Sequence, residues 1–222
     1  MNRLLKESIF LAVVVFFLSN VVSAYAEPER YDFPVIAPKE NPVKLIFPTM
    51  PKIEEITDIS NTQDVQKVNE AKRESIATLL RKYNKKLTAE KAYDYAVYII
   101  QASDRFKQNP FVIAAMVVNE SSARSDAISR GGDYGLMQVR WRVHQKKIRK
   151  KYPHIEEAKD ILNPKDNLLV GTEIFSTYRA TAKQDVRGAL MYYSAGNERL
   201  ADKVLAVVAQ LEKSYTERLK NS

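Results

Sequence analysis

Apolar positions divide the chain into three stretches. Ile9 to Leu18 form an unbroken apolar run. Between Pro28 and Pro51 lie six of the nine prolines. Proline lacks an amide hydrogen and restricts its preceding neighbour, so neither regular helix nor central strand is expected there. Phe33, Val35, Ile36, Leu45, Ile46 and Phe47 are mixed in. The stretch reads first as a tether, and second as an arm that lies partly on the surface of the following domain.

From about residue 62 the spacing becomes helical. Val65, Val68, Ala71, Ile76, Leu79 and Leu80 recur mostly at three- and four-residue steps, the period of a helix with one buried face. Thr88 offers an N-cap, with Lys91 where a capping box would carry glutamate. Behind it Ala92, Ala96, Ile99 and Ile100 form a stripe ending near Phe106. Asn109 then caps and Pro110 opens a helix to about Asn119. Its FVIAAMVV segment is apolar on every side, which places it at the centre of a domain. Further helices are expected over Trp141–Tyr152, Pro164–Ala182, Val186–Tyr193 and Glu198–Leu219. Strand signals are weak and no repeat is visible, so the fold class is mainly α.

Composition narrows the function classes. The 222 residues carry 35 Lys+Arg against 27 Asp+Glu, for a net charge of +8. This charge favours an anionic partner without naming it. The absence of cysteine excludes disulfides, thiolate metal sites, a cysteine nucleophile and a cysteine-linked lipid anchor. Only two histidines are present, which argues against a zinc centre.

The N-terminal stretch reads as an export signal. Arg3 and Lys6 precede the apolar run, and Ala24 and Ala26 form an A-x-A pattern before Glu27. A spanning helix needs about 20 apolar residues, and this run is broken by Ser19 and Asn20. Residues 1–26 are therefore expected to be removed, leaving an arm over 27–61, a domain over 62–222 and no stable membrane span. Export also sets nucleic acid aside as the anionic partner.

Glu120 follows the apolar helix directly. A carboxyl group losing water holds its proton more tightly, and one poised near neutrality can protonate a leaving oxygen. Taken alone, the position reads first as a solvated helix end or a partner for Arg124, because most glutamates are solvated. Shortly after it, Ser129 to Gln138 holds three of the six glycines. A phosphate loop would need a G-K-[ST] ending, and this segment ends Gly135-Leu136-Met137-Gln138.

Four ordered blocks give these residues a context. They are Glu120-Ser121; Ser129, Gly132 and Gly135-Leu136-Met137-Gln138; Asn163-Pro164, Asn167 and Gly171; and Tyr193-Ser194-Ala195-Gly196. In order and spacing the chain resembles the soluble lytic transglycosylase family over roughly residues 75–215. The resemblance implies a goose-lysozyme-like helical fold, action on the glycan strands of peptidoglycan, and no metal or cofactor. It implies Glu120 as the single catalytic acid and base, Ser129 near the N-acetyl group of the reacting sugar, Gln138 lining the groove, and Tyr193 close to the carboxylate. Asn163, Pro164, Asn167 and Gly171 are expected to serve helix entry and packing.

Several positions depart from the family's pattern. Ala123 and Ser125 stand where Phe and Pro are usual, Asp133 replaces a common Ala, and Trp141 replaces a Pro. Ser194 replaces the usual Asn, and Arg140 occupies a position often apolar and facing the sugar. His144 matches the spacing of goose-type lysozymes and is kept with Ser194 and Arg140 as a substrate contact. A water-using muramidase would need a second carboxylate, for which Asp126 and Asp133 are at hand. The remaining alternative is a wall-binding or assembly factor, serving for instance a secretion system.

Two weaker signals complete the reading. Lys146, Lys147, Arg149, Lys150 and Lys151 form a basic cluster, read as a solvated helix face or a surface for anionic stems or headgroups. Tyr83, Tyr93, Tyr95, Tyr98 and Tyr178 read as packing on helices. The expected location is the periplasm or the cell wall.

Overall fold

The computed structural model describes residues 62–220. The expected export signal (1–26) and proline-rich arm (27–61) lie outside the described residues. Seven α-helices are found among the described residues: α1 Thr62–Tyr83, α2 Ala89–Phe106, α3 Pro110–Ser121, α4 Trp141–Lys151, α5 Pro164–Thr181, α6 Val186–Tyr193 and α7 Glu198–Lys220. A 3₁₀ turn, Asp160–Leu162, precedes α5. The mainly α class and every predicted helix are present, with ends within two residues of expectation.

Local chemistry sets the helix starts. The Thr88 hydroxyl accepts the Lys91 amide at 3.2 Å, and the Asn109 side chain accepts the Phe111 amide at 2.8 Å. Each satisfies an amide that the first turn leaves without a partner. Asn163 does the same for Lys165 and Asp166, and Asp185 for Gly188.

The α3 helix is the centre of the domain. Phe111 to Val118 are all buried, and α1, α2 and α7 pack around the helix. Fully burying each large side chain stabilises the fold by about 2 kcal/mol, which explains why no polar residue interrupts the run. Helix α5 packs on α2 and carries α6, which returns to α7. A second, smaller apolar cluster joins Val139, Ile148, Tyr152, Ile155, Ile161 and Val170 under α4. Val65, grouped above with the buried face of its helix, is 42% exposed, and Ala71 is the first residue of that face to be buried.

Between α3 and α4 the structure adds a feature not predicted from periodicity. Strand β1, Asp133–Tyr134, pairs antiparallel with β2, Val139–Arg140. The register sets Asp133 opposite Arg140 and Tyr134 opposite Val139, so Gly135-Leu136-Met137-Gln138 is the hairpin loop. Two-residue strands leave no alternation to read.

Candidate active site

Glu120 lies in the last turn of α3, one residue further inside the helix than expected. The helix closes with Ser122 and Ala123 at φ of 53° and 56°, which turns the chain back across the helix end. Ser121, buried, donates to the Leu136 carbonyl at 2.8 Å and approaches the Val117 carbonyl at 3.1 Å. The glycine loop is thereby fixed to the helix beside Glu120.

The loop is held from its other side by α5. Asn167 is fully buried and accepts the Met137 amide at 2.7 Å. Its own amide donates to the carbonyls of Tyr134 and Ile161, at 2.8 and 2.9 Å. Gly135, at φ 74°, lies so close to Asn167 that a Cβ would collide with it, and a Cβ on Gly171 would fall 2.6 Å from the Met137 sulfur. Three separated motif blocks thus meet in one packed unit, and Tyr193 of the fourth reaches it through the Met137 carbonyl. Asn167 and Gly171 serve packing as expected, and Asn167 does more: it brackets the loop.

Around Glu120 the polar groups converge. Arg140 donates from Nε to Asp133 Oδ1 at 2.6 Å and from Nη2 to Asp133 Oδ2 at 3.2 Å. The Ser129 hydroxyl donates to Asp133 Oδ2 at 2.9 Å and accepts the amides of Gly131 and Asp133. Tyr193, at the end of α6, donates to the Met137 carbonyl at 2.8 Å. Arg124 instead binds the Ser121 carbonyl at 3.1 Å, leaving Asp133 and Arg140 as the charges acting on Glu120.

Within this network one carboxyl group holds its proton more tightly than usual. Burial raises Glu120 from its ordinary 4.5 to about 7, with the Asp133 charge adding to the effect and the Arg140 charge opposing it. Asp133 moves the other way. Partial burial pushes it up, but the hydrogen bonds from Arg140 and Ser129 and the Arg140 charge outweigh that and hold it below the usual carboxylate range. Tyr193 is pushed well above the ordinary phenol range by burial and then by the Glu120 charge, so its hydroxyl stays protonated. His144, on α4, is lowered to about 4 by burial and by the Lys147 and Arg140 cations, and is neutral at pH 7.

Of the residues singled out from the sequence, Glu120, Ser129, Arg140 and Tyr193 fall in this network. Gln138, at φ 49°, donates to the Ala127 and Gly135 carbonyls at 3.2 and 2.9 Å, so its amide braces the loop. The Ser194 hydroxyl reaches the Met191 and Asn197 carbonyls, each at 3.4 Å, across the turn between α6 and α7. Asp126 is exposed. Asp133, a candidate second carboxylate by sequence, is the hub between Ser129 and Arg140, a role that depends on hairpin register. Tyr178, read as packing, does pack edge-on against Tyr193 at 6.0 Å, and it also adjoins the Arg140 charge. A depression of about 560 Å³ lies elsewhere, between α1 and α7. Two of its carboxylates, Glu70 and Glu74, are bound by Arg73 and Arg218.

The fold and the site define a mainly α domain that presents one proton-holding carboxyl beside a braced glycine loop. The family model for the transglycosylase SLT domain matches residues 97–215, more than half of the chain, and the chain belongs to that family. The lysozyme-like helical fold follows, as does kinship with lytic transglycosylases that act on peptidoglycan, a polymer lying outside the cytoplasm. No curated protein and no solved structure matches the chain. Among the described residues, no helix is long and apolar enough to cross a membrane.

Proposed function

We propose that the protein is a peptidoglycan lytic transglycosylase, comprising the domain over 62–222, exported by removal of residues 1–26, with Glu120 as its single acid and base. The observation that carries this reading is the place of Glu120, half-buried in the last turn of the central helix beside the braced glycine loop, where burial raises its proton affinity to about 7. A carboxyl group so poised can both give and take a proton near neutrality.

In this mechanism Glu120 protonates the oxygen linking C1 of N-acetylmuramic acid to N-acetylglucosamine. The C1–O bond breaks, its electron pair leaving with that oxygen, and the neighbouring N-acetyl group stabilises the positive C1 centre. Glu120, now ionised, accepts the proton of the muramyl C6 hydroxyl as that oxygen closes on C1. A 1,6-anhydro ring forms, Glu120 regains its proton, and no water is consumed. Proximity of the C6 hydroxyl supplies what a second carboxylate would otherwise have to supply.

Asp133 supports this route over water activation, because a carboxylate bound by Arg140 and Ser129 is a weak base. Asp126 is exposed. Substrate contacts are assigned to Tyr193, Arg140 and His144, with Ser129, Gln138 and Ser194 shaping the backbone around them. Tyr193, its proton committed to Met137, offers only its lone pairs.

Mass spectrometry of muropeptides released from purified peptidoglycan tests the reading. Anhydro-muramyl ends are expected from the unmutated protein and not from Glu120→Gln. Reducing ends carrying the mass of water would establish a muramidase instead. Binding by both proteins without release would establish a wall-binding factor.

A further inference from the structure

The hairpin register sets Asp133 and Arg140 directly opposite each other. Their contact is two-pronged, through Nε at 2.6 Å and Nη2 at 3.2 Å. The Arg140 side chain is 49% exposed and that of Asp133 only 15%, so the carboxylate is the fixed partner and the arginine the one able to swing. Asp133 also fixes Ser129, whose hydroxyl proton is committed to it and whose oxygen already accepts two amides.

We propose that Asp133 is a positioning residue of this site. It anchors the Ser129 hydroxyl and holds the Arg140 guanidinium to the hairpin, keeping that cation from closing on the Glu120 carboxyl. The inference rests on the reading of Glu120 as the acid. The physical reason is charge balance. An unheld arginine beside a half-buried carboxyl would pair with it and keep it ionised, which removes the proton that bond cleavage needs. With Asp133 in place the guanidinium has a partner already, and the carboxylate adds a second negative charge near Glu120.

The charges acting on Glu120 come from two elements, Asp133 on β1 and Arg140 on β2. Tyr193, at the end of α6, is uncharged and itself feels the Glu120 charge. Tyr178 on α5 adjoins Arg140 and Tyr193 without a charge of its own.

The test is a carbon-13 NMR titration of the Glu120 carboxyl in the full chain, its signal assigned by loss in Glu120→Gln. The unmutated protein is compared with Asp133→Asn, Arg140→Gln and the double variant. The Glu120 midpoint is expected to fall in Asp133→Asn and to rise in Arg140→Gln. The fall caused by Asp133→Asn is expected to shrink when Arg140 is already Gln. An unmoved midpoint in folded Asp133→Asn would overturn the proposal. So would an equal fall in both backgrounds, which would mean that Asp133 acts through its own charge without restraining Arg140. Should Asp133→Asn fail to fold, Arg140→Gln alone decides, since an unmoved midpoint there leaves no cation to be restrained. The titration reads the site whether or not glycan is cleaved. Absence of turnover by the unmutated protein therefore defeats the enzymatic reading separately. In turnover, Asp133→Asn is expected to lose activity at pH 8 about tenfold more than at pH 5, whereas a merely structural role would lower both alike.

Discussion

The Ser121 hydroxyl donates to the Leu136 carbonyl at 2.8 Å, tying the last turn of α3 to the hairpin loop one residue beyond Glu120. The bond lies between buried groups, so it is strong where made and costly where lost. Ser121→Ala is expected to destabilise the protein by about 1–2 kcal/mol, read by urea denaturation. Muropeptide release should fall further than that loss of folded protein explains, because the helix end that carries Glu120 is no longer tied to the loop.

Removing the acid tests the chemistry directly. Glu120→Gln keeps the shape of the side chain and loses its proton exchange. Turnover is expected to fall by about 10³-fold or more, with the circular dichroism spectrum unchanged. In the unmutated protein the rate should decline as pH rises through about 7, where Glu120 gives up its proton.

Two opposed pH dependences of stability are expected. Glu120 has its folded value raised from 4.5 to about 7, so between those values the folded state binds the extra proton and stability falls as pH rises. His144 has its folded value lowered from 6.5 to about 4, so the unfolded state binds the extra proton and stability rises with pH in that window. Each effect amounts to at most about 3 kcal/mol, and they largely cancel. Thermal melts should therefore vary little from this pair across pH 4–7 in the unmutated protein. Glu120→Gln is expected to melt progressively higher as pH rises from 4 to 6.5, and His144→Gln progressively lower from 4.5 to 7.

The bracket under the loop predicts large costs from small changes. Asn167→Ala would strip partners from the Met137 amide and from the Tyr134 and Ile161 carbonyls. A loss of about 3 kcal/mol is expected, by denaturant titration. Gly171→Ala, whose new Cβ would press on Met137, should cost about 1–3 kcal/mol by the same measurement. Gly135→Ala adds backbone strain at φ 74° to the collision with Asn167, and is expected to cost more than Gly171→Ala.

Much of this was legible in the sequence because it rests on local rules. The all-apolar segment after Asn109-Pro110 could only be a central helix, and α3 is buried from Phe111 to Val118. The caps at Thr88 and Asn109 appear where the residue types put them. Glu120 was singled out by the four ordered motif blocks around it, since its place at the end of the helix alone reads first as solvated. Its proton affinity was an expectation there, and the surrounding packing gives it a direction.

The tertiary structure alone decided what the polar groups near Glu120 do to one another. Ser129, Asp133 and Arg140 are spread over twelve residues of glycine-rich chain, and nothing in their spacing says that one arginine grips one aspartate. That follows from a hairpin of two-residue strands whose register sets Asp133 against Arg140, and a slip of one residue would send both side chains to other faces. Asn167 is likewise thirty residues from the Met137 amide it accepts. Periodicity reports which face of an element loses water. The partner found by a buried hydrogen-bonding group is set by distant segments packed against it, and those meet only once the chain has folded.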